Sequence, residues 1–253
     1  METISIINRR GGVGKTATAH ALGAGLSFKG HKVLYVDLDS QTNLSYDLGA
    51  EAGAGDSMEL LRGSCTAREA VTTCNIENCS VITASPELSI ADVILTSMGK
   101  EYRLKEALEP INNDYDYCVI DTPPALGVLL TNALTASNRI IIPAQAEIHS
   151  LQGIGQIAEI VTQAKKYTNP GLKIDGILIT RWNGRAILSK DMQATLEETA
   201  AALHTKVYRE PIRECIAIKE AQAMQQDIFT YSPRSNAAKD YESFILEVLG
   251  GGQ

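Results

Sequence analysis

The chain has 253 residues, a formal net charge of −7 and a sequence pI near 5.2. This acidic balance excludes a protein coated in basic surface, so any contact with nucleic acid must come from a local patch. Hydrophobic residues make up 44% of the chain, and no apolar run approaches the ~20 residues that span a bilayer. We expect one large α/β domain over residues 1–253, because no linker divides the sequence.

The first residues and the cysteines bear on the cellular compartment. The chain opens with Met1-Glu2 and a strand rather than with a basic and then apolar leader, which predicts a cytoplasmic protein. Its five cysteines form an odd, scattered set without a C-x-x-C pair. This pattern is typical of reduced thiols and offers little for a disulfide framework or a zinc site.

Residues 3–28 predict a strand, an anion-binding loop and a helix, in that order. Residues 3–8 are a short apolar, β-branched run typical of a buried strand, and residues 16–28 are rich in alanine with helical spacing. The loop between them reads RRGGVGKT over residues 9–16. Its glycines let backbone N–H groups turn inward, and the helix presents its positive end to the same point.

Lys15 and Thr16 indicate that the anion is a nucleoside triphosphate. The lysine supplies charge for the β- and γ-phosphates, and the threonine hydroxyl is placed to ligate the accompanying Mg²⁺. The general pattern G-x-x-x-x-G-K-[ST] fails at Arg9, which occupies the first glycine position. The loop instead resembles the deviant Walker A motif of the ParA/MinD family, in which a basic residue, here Arg10 in place of the usual lysine, precedes the glycine pair. The alternative is a glycine-rich turn with a chance lysine.

The next elements place two carboxylates beside this loop. Residues 32–37 predict a second strand, and the resulting βαβ unit implies a parallel sheet with a right-handed crossover. Asp37 and Asp39 stand at the carboxyl end of that strand, where open α/β sheets keep their ligand sites. The pattern from residue 49 to residue 78 is weak, apart from a short capped helix at residues 57–61.

The rest of the chain alternates strands and helices. Strands are predicted at residues 80–84, 117–121, 139–144 and 173–180, and a short one from Val207. Helices are predicted from Ser85 and over residues 100–111, 150–167, 189–204 with Ser189 as the cap, 216–224 and 236–249. The expected fold class is α/β, a mostly parallel sheet with helices on both faces.

The resemblance to ParA-type partition ATPases extends over nearly the whole chain. It rests on four further segments: D-x-D-x-Q at residues 37–41, D-x-P-P at 121–124, P-A-Q-x-E at 143–147 and R-E-x-x-A-I-K-E-A at 213–221. The resemblance implies a P-loop NTPase fold of the deviant Walker A type. It also implies slow hydrolysis of ATP with Mg²⁺, and a homodimer with ATP sandwiched between its two subunits.

The resemblance assigns roles to residues of these segments. Lys15, Asp39 and Arg10 are the catalytic set: Asp39 holds the attacking water, and Arg10 reaches the partner's phosphates unless it is only a solvated loop charge. The expected metal-side residues are Thr16, Asp37 and Asp121. The expected nucleotide contacts are Gly11, Gly12, Val13, Gly14, Lys15, Thr16, Ala17, Arg181, Asn183 and Pro211. Trp182 is interpreted as a core residue rather than a stacking partner.

Two positions depart from the family pattern, and both lie near the expected nucleotide. Ala17 stands where the family usually carries a second threonine, which removes a hydroxyl near the α-phosphate. Ser40 replaces the usual proline, which loosens the loop that bears Asp39.

Candidate DNA contacts form a basic set in the last third of the chain. Its members are Arg185, Lys190, Arg209, Arg213, Lys219 and Arg234. Glutamates interleave with these cations, so solvated helix faces are an equal interpretation.

The leading prediction is a cytoplasmic, nucleoid-associated DNA-segregation ATPase. Its expected partners are a second copy of the chain, non-specific DNA and a ParB-like protein that stimulates hydrolysis, with no membrane contact. The alternative is a MinD-like positioning switch on a membrane or protein partner, but residues 241–249 read YESFILEVL, acidic rather than basic. A metallochaperone or reductase of the same superfamily, with an iron–sulfur site at Cys74 and Cys79, is disfavoured by the cysteine spacing.

Overall fold

A single seven-stranded sheet organises the fold, with the order β3-β4-β2-β5-β1-β6-β7. The computed structural model describes residues 1–51, 53–183 and 187–250, and at residues 148–149 and 187–192 it describes the backbone alone. The strands are β1 (Glu2–Ile6), β2 (Val33–Asp37), β3 (Val71–Thr73), β4 (Cys79–Ile82), β5 (Tyr117–Asp121), β6 (Arg139–Gln145) and β7 (Lys173–Thr180). Neighbouring strands are parallel except at the β3–β4 edge.

The register of the central strands brings the predicted acidic residues together. Ile6 of β1 and Asp37 of β2 both pair with Asp121 at the end of β5. Because parallel strands end at the same edge, the segments after β1, β2 and β5 emerge side by side.

Helices cover both faces of the sheet, which confirms the predicted fold class. They are α1 (Lys15–Phe28), α2 (Asn43–Asp47), α3 (Ser57–Arg62), α4 (Ala67–Ala70), α5 (Ala91–Ile94), α6 (Arg103–Leu108), α7 (Val128–Ala136), α8 (Ile148–Tyr167), α9 (Ile187–Ala202), α10 (Ile216–Ala223), α11 (Ile228–Tyr231) and α12 (Asn236–Gly250). Strand β2 shows the division: Val33 and Tyr35 belong to the core beneath α1 and α12, whereas Leu34 and Val36 belong to the core beneath α3, α6 and α7. None of the described helices is long and apolar enough to cross a membrane.

Two predicted helices differ from those observed. The stretch at residues 100–111 is divided into a 3₁₀ turn at Lys100–Tyr102, α6 and a second 3₁₀ turn at Glu109–Ile111. Pro110 explains the end of α6, because it has no N–H and its ring clashes with the preceding helical turn. The segment from Ser85 begins as a 3₁₀ helix, Pro86–Ile90, before α5.

Ser189 is not a helix cap, contrary to the prediction. Helix α9 begins at Ile187, and serine is compatible with a first turn as well as with a cap, so it does not fix the boundary. The strand expected from Val207 is one isolated bridge to Ile177.

The sequence patterns missed α7 and β3. Helix α7 is buried along nearly its whole length, from Val128 to Thr135, so it lacks the polar face that makes a helix recognisable. A residue distant in the sequence caps its first turn: the N–H of Val128 donates to Asp92 Oδ1 at 2.8 Å. Strand β3 has three residues at the sheet edge.

Candidate active site

A cleft of about 370 Å³ opens at the carboxyl edge of the sheet. On one side lie the loop after β1 and the segments after β2 and β5, and on the other lie the end of β7 and helix α10. The lining residues are Gly11, Gly12, Gly14, Lys15, Thr16, Ala17, Asp39, Gln41, Asn43, Pro124, Thr180, Arg181, Ile212, Arg213, Glu214, Cys215, Ile218, Lys219, Gln222 and Tyr241. This is where ligands bind in open α/β sheets.

The loop between β1 and α1 adopts the conformation that its glycines permit. Gly12 and Gly14 have φ values of +75° and +87°, in the left-handed region that other residues seldom occupy. Lys15 is buried, and its Nζ donates a hydrogen bond to the carbonyl of Arg10 at 3.1 Å. Burial lowers the Lys15 pKa, while the carboxylates of Asp121 and Asp39 oppose that shift.

Thr16 and Asp121 form a contact at the floor of the cleft. The Thr16 hydroxyl donates to Asp121 Oδ2 at 2.7 Å, whereas the buried Asp121 Oδ1 has no hydrogen-bond partner among the described residues. Burial raises the pKa of Asp121 to about 8, Asp37 adds to the rise, and the bond from Thr16 and the charge of Lys15 oppose it. A hydroxyl beside an unpaired buried carboxylate oxygen fits a hydrated divalent cation of the Mg²⁺ kind.

Asp37 and Asp39 are close in sequence but differ in surroundings. Asp37 is fully buried, and its carboxylate accepts hydrogen bonds from the N–H of Asp39 (3.0 Å), the N–H of Ser45 (2.9 Å) and the Ser45 hydroxyl (2.8 Å). Burial raises the pKa of Asp37 to about 6, and these bonds oppose the rise. Asp39 lines the cleft and accepts a bond from the N–H of Gln41 at 3.1 Å. Asp37 therefore fixes the turn that presents Asp39.

The opposite wall is built from two segments held together by backbone hydrogen bonds. Trp182 forms a bridge to Arg213, and its N–H donates to the carbonyl of Ile212 at 2.9 Å. Arg213 is fixed in turn by a bidentate ion pair with Asp240 of α12, with Nη2–Oδ1 at 2.5 Å and Nε–Oδ2 at 2.9 Å. The wall is thereby tied to the last helix.

Arg10 lies at the rim of the cleft rather than in it. Its guanidinium pairs with Glu147 at 2.6 Å, and the two side chains are 42% and 46% exposed. The backbone N–H of Arg10 donates to Asn8 Oδ1 at 2.9 Å, which holds the start of the loop.

Comparison with known proteins identifies the family of this chain. A family model described as an AAA domain matches residues 1–174. The chain is 36% identical over 252 residues to the sporulation initiation inhibitor protein Soj of Bacillus subtilis, covering 98% of each chain. The chain belongs to the ParA/MinD family of P-loop ATPases.

Two further comparisons extend over most of this ATPase. It is 33% identical over 249 residues to the chromosome partitioning protein ParA of Myxococcus xanthus, covering 97% of this chain and 87% of that protein. The solved structure of cobyrinic acid a,c-diamide synthase from Mycobacterium smegmatis with bound ADP and magnesium is 31% identical and superposes with a TM-score of 0.85, covering 98% and 94% of the two chains.

The structure brings many of the predicted site residues of this ATPase to one cleft. Of the loop residues, Val13 is buried behind the lining, and its carbonyl accepts a bond from Thr180 at 2.8 Å. Arg181 lines the cleft, whereas Asn183 and Pro211 are not among its described lining residues. Trp182 packs on the core beneath α8 and α9, in agreement with its interpretation as a core residue.

The predicted basic set is divided between the cleft and other parts of the surface. Arg213 and Lys219 line the cleft, and Arg209 and Arg234 are exposed elsewhere. Arg185 and the side chain of Lys190 lie outside the described part of the chain.

Sequence reasoning missed several lining residues of the ATPase. Gln41 is the last residue of the D-x-D-x-Q segment and Asn43 lies two residues beyond it, so their closeness to Asp39 in the sequence was the available signal. Gln222 and Tyr241 come from helices far along the chain, and no pattern marks them.

Proposed function

We propose that this protein is a DNA-segregation ATPase of the small ParA kind. ATP with Mg²⁺ closes a sandwich homodimer, the dimer binds DNA without sequence preference in the nucleoid, and hydrolysis stimulated by a ParB-like partner releases it. The observation that carries the proposal is the convergence of Lys15, Asp39 and the Thr16–Asp121 contact on one cleft. The names of the relatives Soj and ParA supply the cellular role.

The phosphate loop and the residues at the ends of β2 and β5 each have a defined task in ATP hydrolysis. The backbone N–H groups of the loop and the Lys15 ammonium bind the β- and γ-phosphates. Thr16 and Asp121 hold Mg²⁺, which when bound neutralises charge on the phosphate oxygens. Asp39 orients the attacking water, because phosphoryl transfer depends on positioning and charge stabilisation more than on removal of a proton.

Arg10 is the candidate for contact across the dimer. Its guanidinium carries a fork of donors that can bind two phosphate oxygens at once. The Arg10–Glu147 pair is exposed on both sides, and such pairs contribute roughly 0–1 kcal/mol. Breaking it to reach a partner's phosphates is therefore inexpensive.

The DNA-binding step rests on exposed cations. Arg209, Lys219 and Arg234 are exposed and make no salt bridge within the described ranges. Arg213 contributes less, because Asp240 compensates its charge. Dimerisation joins the weak DNA contacts of two protomers, so ATP raises the apparent affinity through effective concentration.

The membrane-switch alternative is weakened by the last helix. Helix α12 buries its apolar face in the protein core, with Tyr241, Phe244 and Ile245 each at most 2% exposed. A helix whose apolar face is already covered has little left to insert into lipid.

The oligomeric state with ATP tests the proposal. Light scattering of the wild-type protein is expected to show a monomer with ADP and a dimer with ATP, and Asp39→Ala a dimer that persists. Arg10→Ala should remain monomeric with ATP, while Arg68→Ala, which removes a surface arginine paired with Asp114, should dimerise normally. A wild-type protein that stays monomeric with Mg-ATP would contradict the sandwich. Sedimentation with plasmid DNA and with liposomes then separates the two functions.

A further inference from the structure

A hydrogen bond joins the two walls of the cleft behind the nucleotide site. Gln222 of α10 lines the cleft, and its Nε2 donates to Asp47 Oδ2 at 2.5 Å. Asp47 is the last residue of α2 and is 5% exposed. This contact joins residues 175 positions apart in the sequence.

Neighbouring bonds join the segment just after α10 to α2 and to the segment after β3. The Gln225 side chain, just after α10, donates to the carbonyl of Tyr46 at 3.0 Å. The carbonyl of Gln225 accepts a bond from Asn75 Nδ2 at 3.2 Å. The end of α10 therefore has little freedom to move without α2.

Helix α2 is in turn continuous with the turn that presents Asp39. The N–H of Thr42, directly before α2, donates to the carbonyl of Asp39 at 2.9 Å. Within α2, the N–H and hydroxyl of Ser45 hold the Asp37 carboxylate, which also accepts from the N–H of Asp39. A shift of α2 is thus transmitted to Asp39 by hydrogen bonds at each step.

We propose that Gln222 and Asp47 are a positioning pair that couples the nucleotide's contact with α10 to the placement of Asp39. The pair does not touch the reacting atoms, and its task is to hold the Asp39 carboxylate in its catalytic position when ATP occupies the cleft. This inference rests on the proposed ATP hydrolysis and deepens it.

The burial of Asp47 and the charge near it favour a specific interaction with Gln222 rather than an incidental contact. Burial raises the pKa of Asp47 to about 6, the bond from Gln222 opposes the rise, and the charge of Asp37 adds to it. A buried carboxylate that loses its donor is left with an unpaired oxygen, so the local structure must rearrange to restore a partner. The rearrangement would move α2, which carries Ser45.

We expect Gln222→Leu to lower the rate of hydrolysis without lowering the affinity for nucleotide. Misplacing a catalytic group by about 1 Å lowers the rate by about 10²-fold, so Gln222→Leu should lower kcat about ten- to a hundred-fold. Its affinity for a non-hydrolysable ATP analogue should stay within about three-fold of wild type, because the phosphate loop is untouched.

A reversed pair separates positioning from packing. Gln222→Glu alone sets two carboxylates against each other and should lower kcat. Adding Asp47→Asn restores an amide–carboxylate bond with donor and acceptor exchanged, and kcat should return to within about three-fold of wild type. A merely structural role for the Gln222 side chain predicts no such rescue. This arm keeps the test decisive even if Gln222→Leu fails to fold.

The matched control is Gln193→Leu, which breaks an amide–carboxylate bond of 3.1 Å to Glu197 within α9. It should retain wild-type kcat. The inference is overturned if Gln222→Leu keeps the kcat of this control, if it changes only the affinity for the analogue, or if the reversed pair is as slow as Gln222→Glu. A wild-type protein without Mg-ATP hydrolysis refutes the proposed function instead, and the two failures are thereby distinguished.

Discussion

Replacing Asp121 by asparagine should stabilise the protein without nucleotide while removing its Mg²⁺-dependent activity. The Asp121 carboxyl is fully buried, and burial raises its pKa from the ordinary value of 3.8 to about 8. Between about pH 4 and pH 8 the folded protein therefore holds a proton that the unfolded chain releases. The folded state binds more protons, so its stability falls as the pH rises through this window.

The magnitude follows from the width of the window. Each pKa unit corresponds to 1.36 kcal/mol, so holding Asp121 protonated at pH 7 lowers the free energy of unfolding by about 4 kcal/mol relative to pH 4. In Asp121→Asn the amide oxygen can still accept from Thr16, but the amide N–H₂ replaces an oxygen that has no described partner. An unsatisfied buried donor costs about 1–3 kcal/mol. The net expectation is a gain of about 1–3 kcal/mol at pH 7.

Urea unfolding in EDTA without nucleotide, from pH 5 to pH 9, measures this effect. Asp37 and Asp47 carry pKa shifts of the same sign, so the informative quantity is the difference between variant and wild type. That difference should grow by up to about 1.4 kcal/mol per pH unit and level off above pH 8. Asp114→Asn removes an exposed carboxylate paired with Arg68 and should show no such growth. Parallel stability curves for Asp121→Asn and wild type would show that Asp121 does not hold a proton in the folded state across this pH range.

Further predictions concern two helical glycines and the residues expected to bind and hydrolyse ATP. Gly23→Ala should destabilise the protein by about 1–3 kcal/mol, because the added Cβ would lie 2.3 Å from the Tyr35 ring. Gly155→Ala lies on α8 with open space around it and should raise the free energy of unfolding by up to ~1 kcal/mol. Urea unfolding of both variants measures the difference. Lys15→Ala should abolish binding of a fluorescent ATP analogue, whereas Asp39→Ala should retain that binding and lose phosphate release. Hydrolysis at the wild-type rate by Asp39→Ala would show that its assigned role is wrong.

Local patterns sufficed for much of the sheet and for the loop of this ATPase. Strands buried on both faces are near-continuous apolar runs. Strands β2 and β5 each end at a carboxylate of the predicted site, Asp37 and Asp121. The glycines and Lys15 stand in one short segment, so their roles are readable without tertiary structure.

What the sequence left open depends on contacts between distant segments. The expectation of Asp37 beside the metal came from its position after β2, yet both its oxygens are engaged by Ser45 and the N–H of Asp39. The Gln222–Asp47 bond has no local signal, because neither residue belongs to a motif. Helix α7 was missed for a similar reason, since burial on all sides removes the periodicity that identifies a helix.

A salt titration of binding to two duplexes of unrelated sequence, with ATP and with ADP, measures whether ATP switches this protein onto DNA, as we propose. We expect equal affinity for both duplexes with ATP, weak binding with ADP, and a logarithmic salt slope of about 0.9 for each phosphate neutralised. Arg234→Ala, which removes an exposed cation outside the cleft, should lower that slope by about one. Tight binding to only one duplex, or no binding to either with ATP present, would contradict the claim.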